Sequence, residues 1–313
     1  MVNERARGLG ATDPDAVAQW MRENGEPHVR PRIVSATGKA PIADDTFRPK
    51  LEALKSDHSR CGLARAPLPH GGEIVGAVIV DALADLSALP THARTGAWLE
   101  LDATLHVDAE NAKLVVLGPR GAPRPVTTSF DRSSRRVHAR FVLDRPGAFT
   151  VQLVGDLPNG GPRPLLEARV FADVEASTTS RVPGEEAADP NDLETLVARL
   201  REAESVPPLA RDKRLDAVAN AHAARMLASQ TTAHDVGEGD LRARFSEASL
   251  DAQRVGENVA HAASVLSAHR ALHASPSHRL ELLRAEYTHV GIGLARADDG
   301  SVYVCEVFAA DVR

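Results

Sequence analysis

The chain has 313 residues, of which 43% are hydrophobic and 26% are charged. These proportions are typical of soluble globular proteins and exclude a disordered or fibrous chain, and the length predicts more than one domain. The formal net charge is -6, and the basic residues are scattered among acidic ones, which argues against a nucleic-acid partner. No apolar run has the length of a membrane span and the first residues lack the hydrophobic stretch of a signal peptide, so we expect either an intracellular chain or one whose export signal has been removed.

The sequence of residues 1–90 predicts a reduced α+β segment. Asp13 and Pro14 have the pattern of an N-cap followed by a first helical residue, which predicts a short helix. A second helix is expected over residues 47–54, and the apolar run 72–83 predicts a buried strand.

Residues 91–175 predict a small antiparallel β-sandwich domain. Short segments of alternating hydrophobicity begin at Trp98 and are separated by turns rich in Gly and Pro. We expect the inward-facing residues of these segments to form a separate core: Leu101, Leu105, Val115, Leu117, Val137, Phe141, Phe149, Val151 and Leu153. Residues 176–190 have no apolar period and predict a linker.

Residues 191–313 predict a helical region that ends in a β-hairpin. Leu193, Leu196 and Leu200 have helical spacing, and further helices are expected over about 213–229 and 265–274. The final segments alternate around an Asp-Asp-Gly turn, which is typical of a hairpin.

The pentapeptide GLARA occurs twice, at Gly62 and at Gly293, each time in a segment that leads through a turn into an apolar strand. This repeat predicts that residues 1–85 are a degenerate copy of part of the C-terminal domain that lacks its site residues.

Several residues with chemically versatile side chains have a structural interpretation. His222 lies on an apolar helical face and is expected to be a hydrogen-bonded core residue, whereas surface positions are expected for His261, His269 and His273. Ser275 precedes Pro276 and is expected to cap a helix with its side-chain oxygen. The two cysteines, Cys61 and Cys305, form no disulfide framework and are expected to be small buried residues, with one cross-link between them as the alternative.

Five motifs follow one another between residues 193 and 309. They are PPLARDKRLDAVANAHAARML from Pro207, AHD from Ala233, GENVA from Gly256, SPSHR from Ser275 and YTHVGIGLA from Tyr287. In this order they resemble a bacterial CAP domain, from the superfamily of cysteine-rich secretory proteins, antigen 5 and pathogenesis-related proteins. The resemblance covers about residues 189–310.

The resemblance implies a three-layer α-β-α sandwich around a small antiparallel sheet, so the fold class expected for the whole chain is α+β. It also implies a cleft lined by two histidines and acidic residues. By motif, His234 and His278 match the histidines, Glu257 matches the acid, and Ser275 stands where many eukaryotic members have a glutamate. We expect the side chains of His234, Glu257 and His278 to converge in one cleft.

Three functions remain open. The preferred one is a non-enzymatic, export-type protein whose cleft binds a small molecule, a lipid or a divalent ion, with a protein or cell surface as partner. The second is a metal-dependent hydrolase in which His234 and His278 bind zinc or another divalent cation and Glu257 is the candidate base. The third is an adhesive or structural protein with a vestigial cleft. The resemblance implies an extracellular or cell-envelope location.

Overall fold

The computed structural model describes residues 14–69, 71–158, 161–175, 182–189 and 191–313. Its first unit is a three-stranded antiparallel sheet with two helices. The elements are α1 (Pro14–Glu23), β1 (Val29–Gly38), α2 (Asp44–Glu52), β2 (Ser59–Pro67) and β3 (Glu73–Asp81). The strand order is β1-β3-β2. The predicted apolar run is the central strand, where Val75 and Ala77 pack against Phe47 of α2.

The second unit is the predicted β-sandwich. One sheet has the strand order β4-β6-β10-β9 and contains β4 (Ala84–Leu86), β6 (Trp98–Leu105), β9 (Thr128–Asp131) and β10 (Arg136–Val142). The other has the order β5-β12-β11-β7-β8 and contains β5 (His92–Ala93), β7 (Asn111–Leu117), β8 (Arg124–Val126), β11 (Gly147–Leu157) and β12 (Gly161–Ala172). The sandwich sheets begin at β4, ahead of the boundary at residue 91 expected from sequence.

The sandwich core contains seven of the nine residues predicted for it: Leu101, Leu105, Val137, Phe141, Phe149, Val151 and Leu153. Val115 and Leu117 are buried too, but they alternate with the core residues Leu114 and Val116 and lie on the outer face of the five-stranded sheet. Their burial is explained by contacts of this sheet with its neighbours, because α1 packs on β12 and a C-terminal helix packs on β7 and β11.

Part of the predicted linker is attached to the C-terminal unit. Residues 176–181 and 190 lie outside the described residues, whereas 182–189 include a 3-10 turn over Glu185–Ala187. Val182 is buried in the C-terminal core, and Glu185 pairs with Arg270. Residues 182–189 are thus packed against the C-terminal unit, and the bounds of the linker stay a prediction.

The third unit has three layers. Its helices are α3 (Leu193–Ala203), α4 (Lys213–Ser229), α5 (Leu241–Glu247), α6 (Val265–Ala274) and α7 (Pro276–Leu282). Its strands are β13 (Ala210–Arg211), β14 (Arg254–Ala262), β15 (His289–Arg296) and β16 (Val302–Ala310), in the order β13-β15-β16-β14. One face of the sheet packs with α3, α6 and α7, and the other packs with α4 and α5. This is the α-β-α arrangement that the resemblance implied.

The two GLARA segments lie in hairpins with the same strand order. β2 pairs with β3 and β15 pairs with β16, both antiparallel, and the second strand of each hairpin also pairs antiparallel with an earlier strand, β1 or β14. Descent from one duplicated segment stays a prediction.

Two further features concern the whole described chain. Both cysteines are free thiols, and Cys61 is exposed, which corrects the expectation that it is buried. Among the described residues, no helix has the length and apolar character needed to cross a membrane.

Candidate functional site in the C-terminal unit

His234 and Glu257 come together at one end of the site. His234 lies in the loop between α4 and α5, where Asp235 accepts hydrogen bonds from the backbone N–H groups of Gly237 and Gly239 and fixes the loop. Glu257 lies in β14, and its Oε1 is 2.8 Å from Nδ1 of His234. The His234 side chain is 21% exposed and that of Glu257 is 3% exposed, so the histidine is the more accessible of the two.

Arg244 completes this end of the site. Its guanidinium NH1 is 2.7 Å from Oε2 of Glu257, and both side chains are almost fully buried. A second nitrogen, NH2, donates to the backbone carbonyl of His234 at 3.0 Å. Arg244 lies on α5, which begins where Asp240 accepts a hydrogen bond from the backbone of Ala243. Arg244 therefore joins the glutamate to the loop that carries the histidine.

Two buried side chains surround this pair. His222 is fully buried on α4, pairs with Glu238 through Nδ1, and donates from Nε2 to the carbonyl oxygen of Ala233 at 2.9 Å. The interpretation of His222 as a hydrogen-bonded core residue is confirmed. The thiol of Cys305 donates to Oε2 of Glu257 at 3.4 Å, and burial, followed by the charge of Glu257, raises the pKa of this thiol. Cys305 is therefore unsuited to nucleophilic chemistry.

Glu257 is an ionised carboxylate in this environment. Burial by itself raises its pKa, but hydrogen bonds and charges from His234 and Arg244 outweigh burial and lower the pKa to about 2. A carboxylate with such a low pKa holds a proton poorly at neutral pH, so it is a weak general base. Its position suits it to fixing the His234 ring, since the Nδ1–H of the imidazole donates to the carboxylate and leaves Nε2 free.

His278 and Ser275 form a second, uncharged end of the site. The Ser275 side chain makes no capping hydrogen bond to the start of α7, so the predicted capping role is wrong. Its Oγ is instead 2.9 Å from Nδ1 of His278. Burial, and secondarily the charge of His234, lowers the pKa of His278 to about 3. His278 is thus neutral at pH 7, and its direct contact with the other two predicted residues stays a prediction.

The sandwich covers this second end. The side-chain amide of Gln152, in β11, donates to Ser275 Oγ at 2.9 Å and accepts from the backbone N–H of Ser277 at 2.9 Å. At the start of β12, a β-carbon on Gly161 would lie 3.5 Å from Cβ of His234. The β11–β12 hairpin therefore contacts the site close to both histidines.

Two histidines expected at the surface are buried. His269 and His273 lie on α6 and are 0% and 5% exposed, whereas His261 is exposed as predicted. The prediction is wrong because α6 packs between α3 and the sheet, so both of its histidine positions face other elements. Burial lowers the pKa of His269 to about 4 and that of His273 to about 3.

The arrangement does not fit a resident metal ion. Within the described parts of the chain, no group of three or more His, Cys, Asp or Glu side chains has a geometry that could hold a metal. Glu257, the residue that would complete a His-His-Glu set, is already paired with Arg244, whose positive charge disfavours a cation beside it.

The family comparison agrees with the motif order. A family model described as the cysteine-rich secretory protein family, CAP, matches residues 195–307. The chain therefore contains a CAP domain, formed by its C-terminal three-layer unit. No curated protein matches the sequence significantly.

Several solved structures are similar to this chain. An outer surface protein from Borrelia burgdorferi is 21% identical, with 38% of this chain and 89% of that chain covered and a TM-score of 0.35. An extracellular protein containing an SCP domain from Bacillus anthracis is 18% identical, with coverage of 73% and 67% and a TM-score of 0.36. A cysteine-rich secretory protein from Staphylococcus aureus is 16% identical, with coverage of 68% and 76% and a TM-score of 0.34. TM-scores this low say nothing about function.

Sequence motifs located His234, Glu257, Ser275 and His278, whereas Arg244, Glu238 and Gln152 were missed. Arg244 is one of many arginines, and the sequence around it has no strong apolar period that would predict its short helix. Gln152 occupies an outward position of an alternating strand, a pattern that predicts contact with solvent. Only the packing of two units against each other distinguishes it from an ordinary surface residue.

Proposed function

We propose that this protein is a non-enzymatic, export-type CAP-domain protein whose cleft binds a small ligand at His234. The observation that carries the proposal is the ion pair between Glu257 and Arg244, with its N–O distance of 2.7 Å. It fixes the glutamate as an ionised, hydrogen-bonded anion with a pKa of about 2, whereas a base in a hydrolase needs a pKa near the working pH.

The accessible chemistry of the cleft is that of one oriented imidazole. With Nδ1 held by Glu257, Nε2 of His234 is directed away from the carboxylate and is free to hydrogen-bond to a ligand. The complementary ligand carries a polar hydrogen-bonding group such as a hydroxyl or an amide. An extracellular or cell-envelope location belongs to the same proposal and is supported by the family match.

The metal-dependent hydrolase has weaker support. It requires Glu257 as a base and two histidines as ligands, but Arg244 neutralises Glu257 and Gln152 covers the His278 end. Ser275 and His278 have the spacing of a nucleophile and a base, yet a histidine with a pKa of about 3 takes up a proton poorly.

The test compares three full-length proteins purified without chelator: the native chain, His234→Ala, and His261→Ala as an exposed-histidine control. We expect none of them to carry stoichiometric zinc and none to hydrolyse ester, peptide or glycoside substrates. One zinc per chain that is retained in His261→Ala and lost in His234→Ala would support the hydrolase instead.

Binding is tested by NMR with ¹³C-labelled histidine and a set of small alcohols, amines and amides. We expect some of these probes to shift the Cε1 resonance of His234 and to leave that of His261 unchanged. A cleft in which no probe perturbs His234 would contradict the binding proposal and favour a structural role.

A further inference from the structure

Gln152 is an unusual residue for its position. It lies in the middle of β11, on the outer face of the five-stranded sheet, and is only 1% exposed. Burial of an amide is unfavourable unless its donors and acceptor are paired. A glutamine that is fully buried between two units therefore needs specific partners in both.

The side chain has those partners, and they fix its orientation. Nε2 donates to Oε2 of Glu167 at 2.6 Å and to Oγ of Ser275 at 2.9 Å, and Oε1 accepts from the backbone N–H of Ser277 at 2.9 Å. A carboxylate only accepts and a backbone N–H only donates, so the oxygen and nitrogen of the amide cannot be exchanged.

The contact is held in place from the sandwich side. Glu167 lies opposite Gln152 on β12, and its Oε1 is 2.8 Å from NH1 of Arg22 on α1. A continuous chain of polar contacts thus runs from the N-terminal helix through Glu167 and Gln152 to Ser275. Such networks favour one arrangement of the groups they join.

The contact also reaches the site. Ser275 Oγ accepts from Gln152, so its own proton is available to donate to Nδ1 of His278, 2.9 Å away. The Gln152 amide therefore occupies the space beside the Ser275–His278 pair. Its oxygen accepts a hydrogen bond from the Ser277 N–H, and its nitrogen donates one to Ser275 Oγ. A small amide from another molecule would make the same two hydrogen bonds there.

We propose that Gln152 is an internal ligand of the CAP domain. Its amide occupies a carboxamide-binding site formed by Ser275 Oγ and Ser277 N–H, and it closes the His278 end of the cleft. The ligand class for this site is a primary carboxamide. A carboxamide from another molecule can bind only when the sandwich moves Gln152 out of the site. This inference goes beyond binding at His234 and does not depend on it.

The test measures hydrogen exchange in the full-length chain over residues 276–283, which include the Ser277 amide. In Gln152→Ala we expect exchange there to rise by about tenfold, as is typical when hydrogen bonds of this kind are lost. Val151→Ala is the matched control, because it alters the neighbouring residue of the same strand but faces the sandwich core. Exchange in this control should match that of the native chain.

Chemical rescue then tests the ligand class. Gln152→Ala lacks the atoms of one acetamide molecule, so added acetamide should slow exchange over residues 276–283 again. Acetone keeps the carbonyl oxygen that accepts from Ser277 but lacks the N–H donor to Ser275, so it should slow exchange less at the same concentration. Ser275→Ala should abolish the rescue. Exchange that is unchanged in Gln152→Ala, or that acetamide fails to slow, would overturn the proposal, and neither result would bear on binding at His234.

Discussion

Two buried glutamates on the CAP sheet have opposite electrostatic environments. Glu257 in β14 and Glu306 in β16 lie on neighbouring strands, where Glu257 is opposite Val307 and Asn258 is opposite Glu306. Glu257 is on the face covered by α4 and α5, and its pKa is lowered to about 2 against the effect of burial by His234 and Arg244. Burial raises the pKa of Glu306, on the other face, to about 7, opposed only by a hydrogen bond from Asn258.

The difference shows that burial does not set the charge state of these glutamates by itself. A cation within hydrogen-bond distance reverses the effect of burial at Glu257, and no cation of the described chain pairs with Glu306. The face with the ion pair carries His234, whereas the face with Glu306 is joined to His278 through Asn258, whose Nδ2 donates to the His278 backbone oxygen at 3.2 Å. One end of the cleft therefore contains an ion pair, whereas the other contains a histidine that is neutral at pH 7.

The largest loss of stability is expected from Arg244→Leu. This change leaves the Glu257 carboxylate buried without its cation, and breaking such a pair is expected to destabilise the domain by about 3 kcal/mol or more. Both tyrosines, Tyr287 and Tyr303, lie in the CAP domain, so urea unfolding followed by ¹⁹F-NMR of 3-fluorotyrosine measures its stability. Arg244→Leu combined with Glu257→Leu should recover part of the loss. Equal stability of Arg244→Leu and the native chain would show that the two faces do not differ as described.

A smaller loss is expected from Gly293→Ala. A β-carbon at Gly293 would lie 2.1 Å from backbone atoms of Ala219, so helix α4 must move away from the Glu257 face, and we expect a cost of about 2 kcal/mol. Gly62 is the matched control in the other GLARA segment, because a β-carbon there meets no atom within 4 Å. Unfolding of the first unit, followed by ¹⁹F-NMR of 5-fluorotryptophan at Trp20 of α1, should find Gly62→Ala close to native. A loss comparable to that of Gly293→Ala would rule out close helix packing as the cause.

An effect of the opposite sign, a stabilisation that depends on pH, is expected from Glu306→Gln. The folded-state pKa of Glu306 is raised to about 7, so its contribution to stability is fully present below the unfolded pKa of about 4.3 and is lost as the pH rises through 7. We expect Glu306→Gln to be more stable than the native chain by about 3 to 4 kcal/mol at pH 8, since the folded and unfolded pKa values differ by about 2.7 and each pKa unit corresponds to about 1.4 kcal/mol, with the difference vanishing near pH 4. A difference that is the same at both pH values would show that Glu306 does not titrate as described.

Sequence reasoning was effective where a motif or a period carried the information. The helical spacing of Leu193, Leu196 and Leu200 and the alternation in the sandwich predicted elements that the structure contains, and the GEN motif located Glu257. It failed where a residue's environment depends on contacts between distant segments. Arg244 and Gln152 gain their roles from partners far away in sequence, and the burial of His269 depends on how α6 lies between two layers.

The central claim is that Glu257 is a fixed anion that orients His234 and does not act as a base. Its most direct test is the pH titration of the Glu257 carboxyl ¹³Cδ resonance in the full-length chain, with Glu257→Gln used for assignment. The account predicts a carboxylate that stays ionised from neutral pH down to below pH 4, and begins to protonate only as the pH approaches its pKa of about 2. A midpoint between pH 6 and 7, where general bases operate, would contradict it.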